Sequence, residues 1–497
     1  MSLEGNITWD LLKNIADTLD SYRVRVLIDA KEEIMNAGIY AEEQYYSILF
    51  KMFKDEMKKY SLYDYLNNYK VSKLEQLEEF SKQESLALVK TLSLLELLFN
   101  EELVKVEHLF EKNADDENEA LNHSFKDIEI YSTKINPSKN KSIYEPVKVI
   151  FDSKICSGCG LCAGICPVNC IELNNGIGKI NDDKCIRCGL CYFLCPRTYL
   201  PVNLLSMVQE GASNIPVPYK IGSYFEAYSA RTKIKQIAEQ CQDGGISSTC
   251  LYYLFEQNQI DYALGTSMSE TPWLPEPILM KNKEDVLLST GTKYVNNPNL
   301  SLIKELNGSN HKLAVVGVPC MMQALLKSKI YDINIPSLNN ILYRIGIFCM
   351  ESYSYDSFLK ICDLLNVKVT DVKKTNINKG KFFVYTKNDE ELTIPIKDIS
   401  HLAREDCEVC YDLTSESADI SIGSVGSPSG WNTVLIRTQK GKELYDALLN
   451  NDLIESKSFS GVKPGLPQLE KVAASKKKKC ATHITKKKTE HLRTPSY

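Results

Sequence analysis

The stretch Cys156-Ser-Gly-Cys159-Gly-Leu-Cys162-Ala-Gly-Ile-Cys166-Pro167 returns 29 residues later as Cys185-Ile-Arg-Cys188-Gly-Leu-Cys191-Tyr-Phe-Leu-Cys195-Pro196. Each copy packs three thiols into one tight loop. Three thiolates from one loop can occupy three corners of a 4Fe-4S cubane. Four thiolates also suit zinc, but two complete copies, each closed by proline, weigh against it. More than half of the 17 cysteines lie in this interval. Disulfide scaffolds are short and secreted, whereas this chain has 497 residues. Its first residues, Met1-Ser2-Leu3-Glu4, show no basic and apolar export pattern. The best apolar run, residues 86–99, is broken by Lys90 and Glu96 and falls short of the roughly 20 residues a bilayer requires. The expectation is a reduced, cytoplasmic protein whose cysteines hold metal, either free or peripheral to a membrane complex. Its formal charge of −5 gives no overall pull toward nucleic acid.

The repeat is the cysteine run of bacterial ferredoxins. In that module the fourth cysteine of each run reaches the other cluster. Cys156, Cys159, Cys162 and Cys195 are therefore expected to hold one 4Fe-4S cluster, and Cys185, Cys188, Cys191 and Cys166 the other. Cys170, just after the first run, reads as a core residue, because free cysteine behaves as a small hydrophobe.

Around this module the pattern predicts a multidomain chain. Residues 1–140 read as an all-α region plus linker. Leucine, isoleucine and tyrosine recur there at three- and four-residue spacing. Helix, turn, helix and a short alternating segment at 103–107 fit a winged helix as well as a plain bundle. Residues 1–120 carry about eleven more acidic than basic side chains, which argues against phosphate binding. The apolar helix faces suit docking to a partner protein. The ferredoxin-like α+β module is expected over 146–205 and a mixed α/β domain over 220–475. Strands are expected at 312–318, 344–348, 418–422 and 434–437, helices at 358–365 and 441–449, and a hairpin over 382–396. The lysine-rich end, 476–497, reads as a solvated, disordered tail.

Four further cysteines sit where ligands gather in α/β sheets, beyond strand ends. They are Cys320 after Val316-Gly317-Val318-Pro319, Cys349 after Gly346-Ile347-Phe348, and the pair Cys407-Glu408-Val409-Cys410. They are candidates for a third 4Fe-4S cluster, although a single cysteine after a buried strand is also often a packed thiol. Cys241, Cys250, Cys362 and Cys480 lack such placement and read as bystanders.

From about residue 228 to 473 the sequence resembles the beta subunits of coenzyme F420-reducing hydrogenases and F420 dehydrogenases, which form one family. The resemblance rests on Gln242-Asp243-Gly244-Gly245, Gly291-Thr292-Lys293-Tyr294, Val318-Pro319-Cys320, Phe348-Cys349-Met350-Glu351, Cys407-Glu-Val-Cys410-Tyr411-Asp412 and Ala418-Asp419-Ile420-Ser421-Ile422-Gly423. It continues through Gly426-Ser427-Pro428-Ser429-Gly430-Trp431-Asn432-Thr433 and closes at Lys463-Pro464-Gly465-Leu466. With its fused ferredoxin, the chain looks most like the F420 dehydrogenase subunit that feeds respiratory or heterodisulfide-reducing complexes. The first 140 residues lie outside that pattern.

The resemblance implies FAD, iron–sulfur clusters and the deazaflavin coenzyme F420 as substrate. It implies hydride exchange between F420 and FAD, then single-electron transfer to a hydrogenase, heterodisulfide reductase-like or membrane dehydrogenase complex, as part of energy metabolism. Gly244, Gly245 and Ser247 would let backbone N–H groups approach a pyrophosphate. Gly291, Thr292, Lys293 and Tyr294 offer a hydroxyl, an ammonium and an aromatic face. Gly426, Ser427, Gly430, Trp431 and Thr433 suit close approach to a flat ring. Each glycine cluster alone would read as a turn; their joint order with the cysteines gives them weight. The Gly-x-Gly-x-x-Gly fingerprint is missing, and no catalytic acid or base stands out. Rival readings are a ferredoxin-fed FAD and iron–sulfur reductase of a tetrapyrrole, and a non-catalytic electron-transfer subunit. An iron–sulfur transcription sensor is disfavoured by the acidic N-terminal region.

Overall fold

The protein is described by a computed structural model, which covers residues 147–185, 191, 194–198, 200, 220–306, 310–330, 335–490, 492 and 494–495. The helical or winged-helix region expected over 1–140 lies outside the described residues.

The ferredoxin-like module opens with helices Lys148–Asp152 and Leu161–Gly164. Strands β1 (Ile171–Asn174) and β2 (Ile177–Ile180) then pair antiparallel. Their turn is Asn175-Gly176, both at positive φ, as a two-residue hairpin of this twist requires.

Eleven strands follow. The first eight are β3 (Glu226–Thr232), β4 (Tyr262–Met268), β5 (Pro275–Met280), β6 (Leu313–Gly317), β7 (Ile341–Ile347), β8 (Val372–Asn378), β9 (Lys381–Thr386) and β10 (Glu391–Pro395). The last three are β11 (Ile420–Gly423), β12 (Asn432–Ile436) and β13 (Ile454–Ser458). Eight of them form one mixed sheet in the order β13-β3-β12-β11-β7-β6-β4-β5. Its centre, β4, β6, β7 and β11, is parallel; β5 on one side and β12, β3 and β13 on the other run antiparallel. The central strand β6 reads as a continuous apolar run, Leu313-Ala-Val-Val, because both faces are covered. Strands β8 to β10 form a separate antiparallel sheet. The strands expected from the sequence, the hairpin, and the helices Tyr355–Leu364 and Gln439–Asn450 all appear.

One face of the large sheet packs against helices Ile246–Glu256 and Gln439–Asn450 through Ile246, Leu254, Ile345, Ile436 and Leu448. The other core runs without a break from Ile155 and Leu161 in the ferredoxin module, through Leu300 and Ile303, to Leu313, Met322 and Leu325. The two modules therefore share buried apolar surface. A Cβ on Gly160 would meet the Pro298 carbonyl oxygen at 2.5 Å, and one on Gly164 the Leu300 carbonyl oxygen at 2.1 Å. Glycine is what lets the cysteine loop lie directly on backbone.

The lysine-rich end departs from expectation. Instead of a disordered tail, helix Gly465–Thr489 continues through it. Leu469, Ala473, Lys476 and Cys480 are all buried, at a spacing of four, three and four residues, so they form one stripe facing the core. The boundary drawn at 475/476 cuts this helix. Among the described residues, no helix is long and apolar enough to cross a membrane.

Candidate functional site

Strands β6, β7 and β11 end together at Gly317, Ile347 and Gly423, and a cavity of about 420 Å³ opens beyond them. That volume is in the range of cofactor sites, and the location is the one an open α/β sheet favours.

One wall carries the four expected thiols, Cys320, Cys349, Cys407 and Cys410. Cys320 lies in the first turn of helix Pro319–Ile330, which follows β6, and Cys349 lies just after β7. The others come from helix Glu405–Glu408 and the residues after it. Cys407 Sγ accepts from the Ser352 N–H at 3.4 Å. Burial raises the thiol of Cys320 to about 11; Cys410 and Asp406 add to the rise and Arg197 opposes it. Cys349 is pushed to about 12, again by burial first, with Lys476 opposing and Cys320 and Cys410 adding. All four residues line the same cavity. Among the described residues, no three His, Cys, Asp or Glu side chains converge as a site for a single ion. A soft, four-thiol donor set around a wider space suits an iron–sulfur cluster.

The described ferredoxin cysteines lie close enough to influence one another. Burial raises Cys162 well above its ordinary value, with Cys156, Cys159, Cys191 and Cys195 adding to the effect. Cys156 is raised to about 12 by burial and then by Cys195. In the second set, Cys166 Sγ lies 3.5 Å from Cys170 Sγ, and Cys185 acts on Cys170. Cys170 is therefore a core thiol that also flanks the second ligand set. Cys188 lies outside the described residues.

The two sets meet. After burial, the next influence on Cys159 is Cys320, and the Cys159 carbonyl accepts from the Leu300 N–H at 3.1 Å. Arg404 Nη2 donates to the carbonyl oxygens of Cys156 at 2.8 Å and Gly176 at 3.1 Å. The same guanidinium pairs with Asp406 at 2.8 Å, and Asp406 also lies 3.7 Å from buried Arg197.

The lining also includes residues expected to bind a flavin. Gln242, Asp243, Gly245 and Ser247 line the cavity where helix Ile246–Glu256 begins. Gly245 takes φ +71°, and the Ile246 N–H donates to Asn432 Oδ1 at 3.2 Å. Gly244 turns away from the cavity: a Cβ there would meet the Ala230 carbonyl oxygen at 2.4 Å. Gly291, Thr292, Lys293 and Tyr294 also line the cavity. Lys293 Nζ donates to the Ser289 and Thr290 carbonyl oxygens at 2.6 and 3.2 Å, and burial lowers its pKa to about 8. The Tyr294 hydroxyl accepts from the Ile377 N–H at 3.1 Å, tying the small sheet to the cavity rim. Gln242 Nε2 and Asn297 Oδ1, from two further lining residues, are buried with no hydrogen-bond partner among the described residues. A bound polar cofactor would supply such partners.

Residues 426–433 are placed differently from the rest. The cavity is lined by Gly423, Ser424, Val425 and Asn432, while Gly426, Ser427, Gly430, Trp431 and Thr433 stand behind them. Ser427 and Thr433 hydrogen-bond to each other at 2.8 Å. Trp431 is covered by Arg231 and Lys457, whose cations lie 4.7 and 4.1 Å from its ring centre. The Gly430 N–H reaches Asp243. These residues shape the loop rather than the cavity surface.

Of the bystander cysteines, Cys250 and Cys362 are buried in the core, whereas Cys241 lines the cavity. Cys480 is buried and faces Cys410. Sequence reading missed Arg197, Arg404, Asp406 and Lys476. Only Lys476 carried a signal, its place in the buried stripe of the last helix.

Residues 227–304 and 310–461 match the families described as coenzyme F420 hydrogenase/dehydrogenase beta subunit, N-term and C terminus. Residues 148–196 match a 4Fe-4S dicluster domain. The chain is 38% identical over 276 residues to the coenzyme F420 hydrogenase subunit beta of Methanosarcina barkeri, covering 55% of this chain and 94% of that protein. It is 34% identical over 341 residues to an F(420)H(2) dehydrogenase subunit of Methanosarcina mazei, covering 67% and 93%. A chain of the F420-reducing nickel–iron hydrogenase complex from Methanosarcina barkeri superposes with a TM-score of 0.54 at 36% identity, covering 57% of this chain and 99% of that one. With a 4Fe-4S dicluster domain ahead of the matched region, the chain belongs to the family of coenzyme F420 hydrogenase/dehydrogenase beta subunits.

Proposed function

We propose that the chain is an F420-linked oxidoreductase subunit that holds FAD in its cavity and a third 4Fe-4S cluster on Cys320, Cys349, Cys407 and Cys410. When bound, the flavin would exchange hydride with the deazaflavin and single electrons with iron–sulfur clusters, which carry one electron each. The chain's own part is to hold and space these groups. Gly245 and the N–H groups that follow Ile246 at the start of helix Ile246–Glu256 suit a pyrophosphate, and Lys293 brings a cation to the same cavity. Arg404, Asp406 and Arg197 hold the four-thiol wall against the ferredoxin loop.

The observation that carries this reading is that Cys320 lines the cavity and is also among the charges acting on Cys159 of the ferredoxin loop. It favours the first ferredoxin set, Cys156, Cys159, Cys162 and Cys195, as the neighbour of the cavity. The second set would then face a partner redox subunit; the relatives are named as subunits of an F420 hydrogenase and an F(420)H(2) dehydrogenase. Anaerobic analysis of the purified chain should find FAD and about twelve irons, at four per cluster. Reduced F420 should bleach the flavin absorbance. Iron near eight would remove the third cluster, and an unbleached flavin would remove F420 as the substrate.

A further inference from the structure

The last helix places an ammonium where its neighbours are apolar. Leu469 and Ala473 pack with Ile221, Leu413, Leu435 and Phe459, and the next position on the same face is Lys476, only 3% exposed. Burying a cation is costly unless negative charge or hydrogen bonds compensate. Lys476 Nζ donates to the Cys349 carbonyl oxygen at 2.6 Å, which is a neutral partner. The charges it faces are the thiols of Cys410, Cys349 and Cys407 and the carboxylate of Asp412. The helix is held in this register by its apolar stripe, by Lys477 paired with Glu416 at 2.8 Å, and by His483 at 3.3 Å from Glu408, next to Cys407.

We propose that Lys476 is the potential-setting residue of the third cluster, and that the last helix exists in this position to deliver its charge. The inference rests on the assignment of Cys320, Cys349, Cys407 and Cys410 to that cluster. Lys476 lines the same cavity as Cys320, Cys349, Cys407 and Cys410. Reduction adds one electron to an already anionic thiolate-bound cluster. A fixed cation on the cluster's wall stabilises the reduced form more than the oxidised one and raises the potential. The thiols it faces are those of Cys410, Cys349 and Cys407, so the effect should be largest at that cluster.

The test uses the full-length protein, purified anaerobically and titrated with dithionite while electron paramagnetic resonance is recorded. The third cluster's signal is the one that Cys407→Ser removes. Lys476→Gln keeps a donor for the Cys349 carbonyl and deletes the charge. It should move that signal to lower potential and move the two ferredoxin signals less. Lys476→Met should do the same, and Lys476→Arg should stay near the wild-type value. Loss of four irons from both neutral variants, with Lys476→Arg fully loaded, would express the same need for charge. A fully loaded Lys476→Gln with an unmoved signal would overturn the proposal. So would an equal shift of all three signals, or loss of iron from Lys476→Arg as well. Iron near eight in the unmodified protein would instead overturn the three-cluster reading itself.

Discussion

Arg404 donates to the carbonyl oxygen of Cys156 at 2.8 Å across a junction between two modules. Its Nε is held by Asp406 at 2.8 Å, so one side chain ties the segment carrying Cys407 and Cys410 to the first ferredoxin loop. Hydrogen bonds from a charged donor contribute about 1.5–3 kcal/mol each. The shared apolar core sets the gross docking, and Arg404 fixes its last detail.

Arg404→Ala should therefore loosen the junction without disturbing the residues expected to bind the flavin. In stopped-flow mixing with reduced F420, flavin bleaching should keep its rate while bleaching of the ferredoxin absorbance slows. The melting temperature should also fall. Equal slowing of both phases would contradict a role confined to the junction.

Gly245 occupies the left-handed region at φ +71°, and a Cβ there would lie 2.9 Å from Ile237 Cγ2 and 3.0 Å from Thr232 Cγ2. A side chain in this conformation costs roughly 1–2 kcal/mol before any clash. Gly245→Ala should reduce the FAD content of the purified protein while iron stays at the wild-type level. Full flavin occupancy would show that this turn does not cradle the cofactor.

Lys293 should give flavin binding a pH dependence. Its pKa in the folded protein is lowered to about 8 by burial, so it is charged below that value and neutral above it. FAD affinity should weaken as pH rises through about 8, and Lys293→Met should bind weakly and flatly across the range. Folding stability responds with the opposite slope. The unfolded chain binds the proton more tightly, so the burial penalty is present below about pH 8 and is relieved toward the ordinary lysine range. Fluorescence titration of FAD at several pH values checks the first statement. An affinity independent of pH in the unmodified protein would rule out a role for this charge.

The parts of the site visible in sequence were those whose geometry is local. Each ferredoxin cysteine run is contiguous in sequence, so its spacing suffices to propose its arrangement. Cys320 and Cys349 stood out because buried strands end just before them. Lys476 did not, because a lysine among lysines looks solvated, and only the stripe formed with Leu469, Ala473 and Cys480 shows that it turns inward. Arg404 and Asp406 act across a contact between segments about 250 residues apart, which no local pattern records. The glycines and tryptophan of residues 426–433 were legible as a special loop, but not as one whose cavity face belongs to its neighbours Gly423, Ser424, Val425 and Asn432.

An ordered electron path requires the four-thiol wall to lie between the flavin cavity and the ferredoxin module. Cys407→Ser tests it most directly, because a serine hydroxyl is a harder ligand than the thiolate an iron–sulfur cluster prefers. In the variant, reduced F420 should still bleach the flavin at the wild-type rate, since hydride exchange needs no cluster. The ferredoxin absorbance should then stay oxidised, and reduction of an external acceptor should collapse, while Cys362→Ser changes nothing. If Cys407→Ser reduces the acceptor at full rate with an unchanged cluster spectrum, the path does not run through these four cysteines.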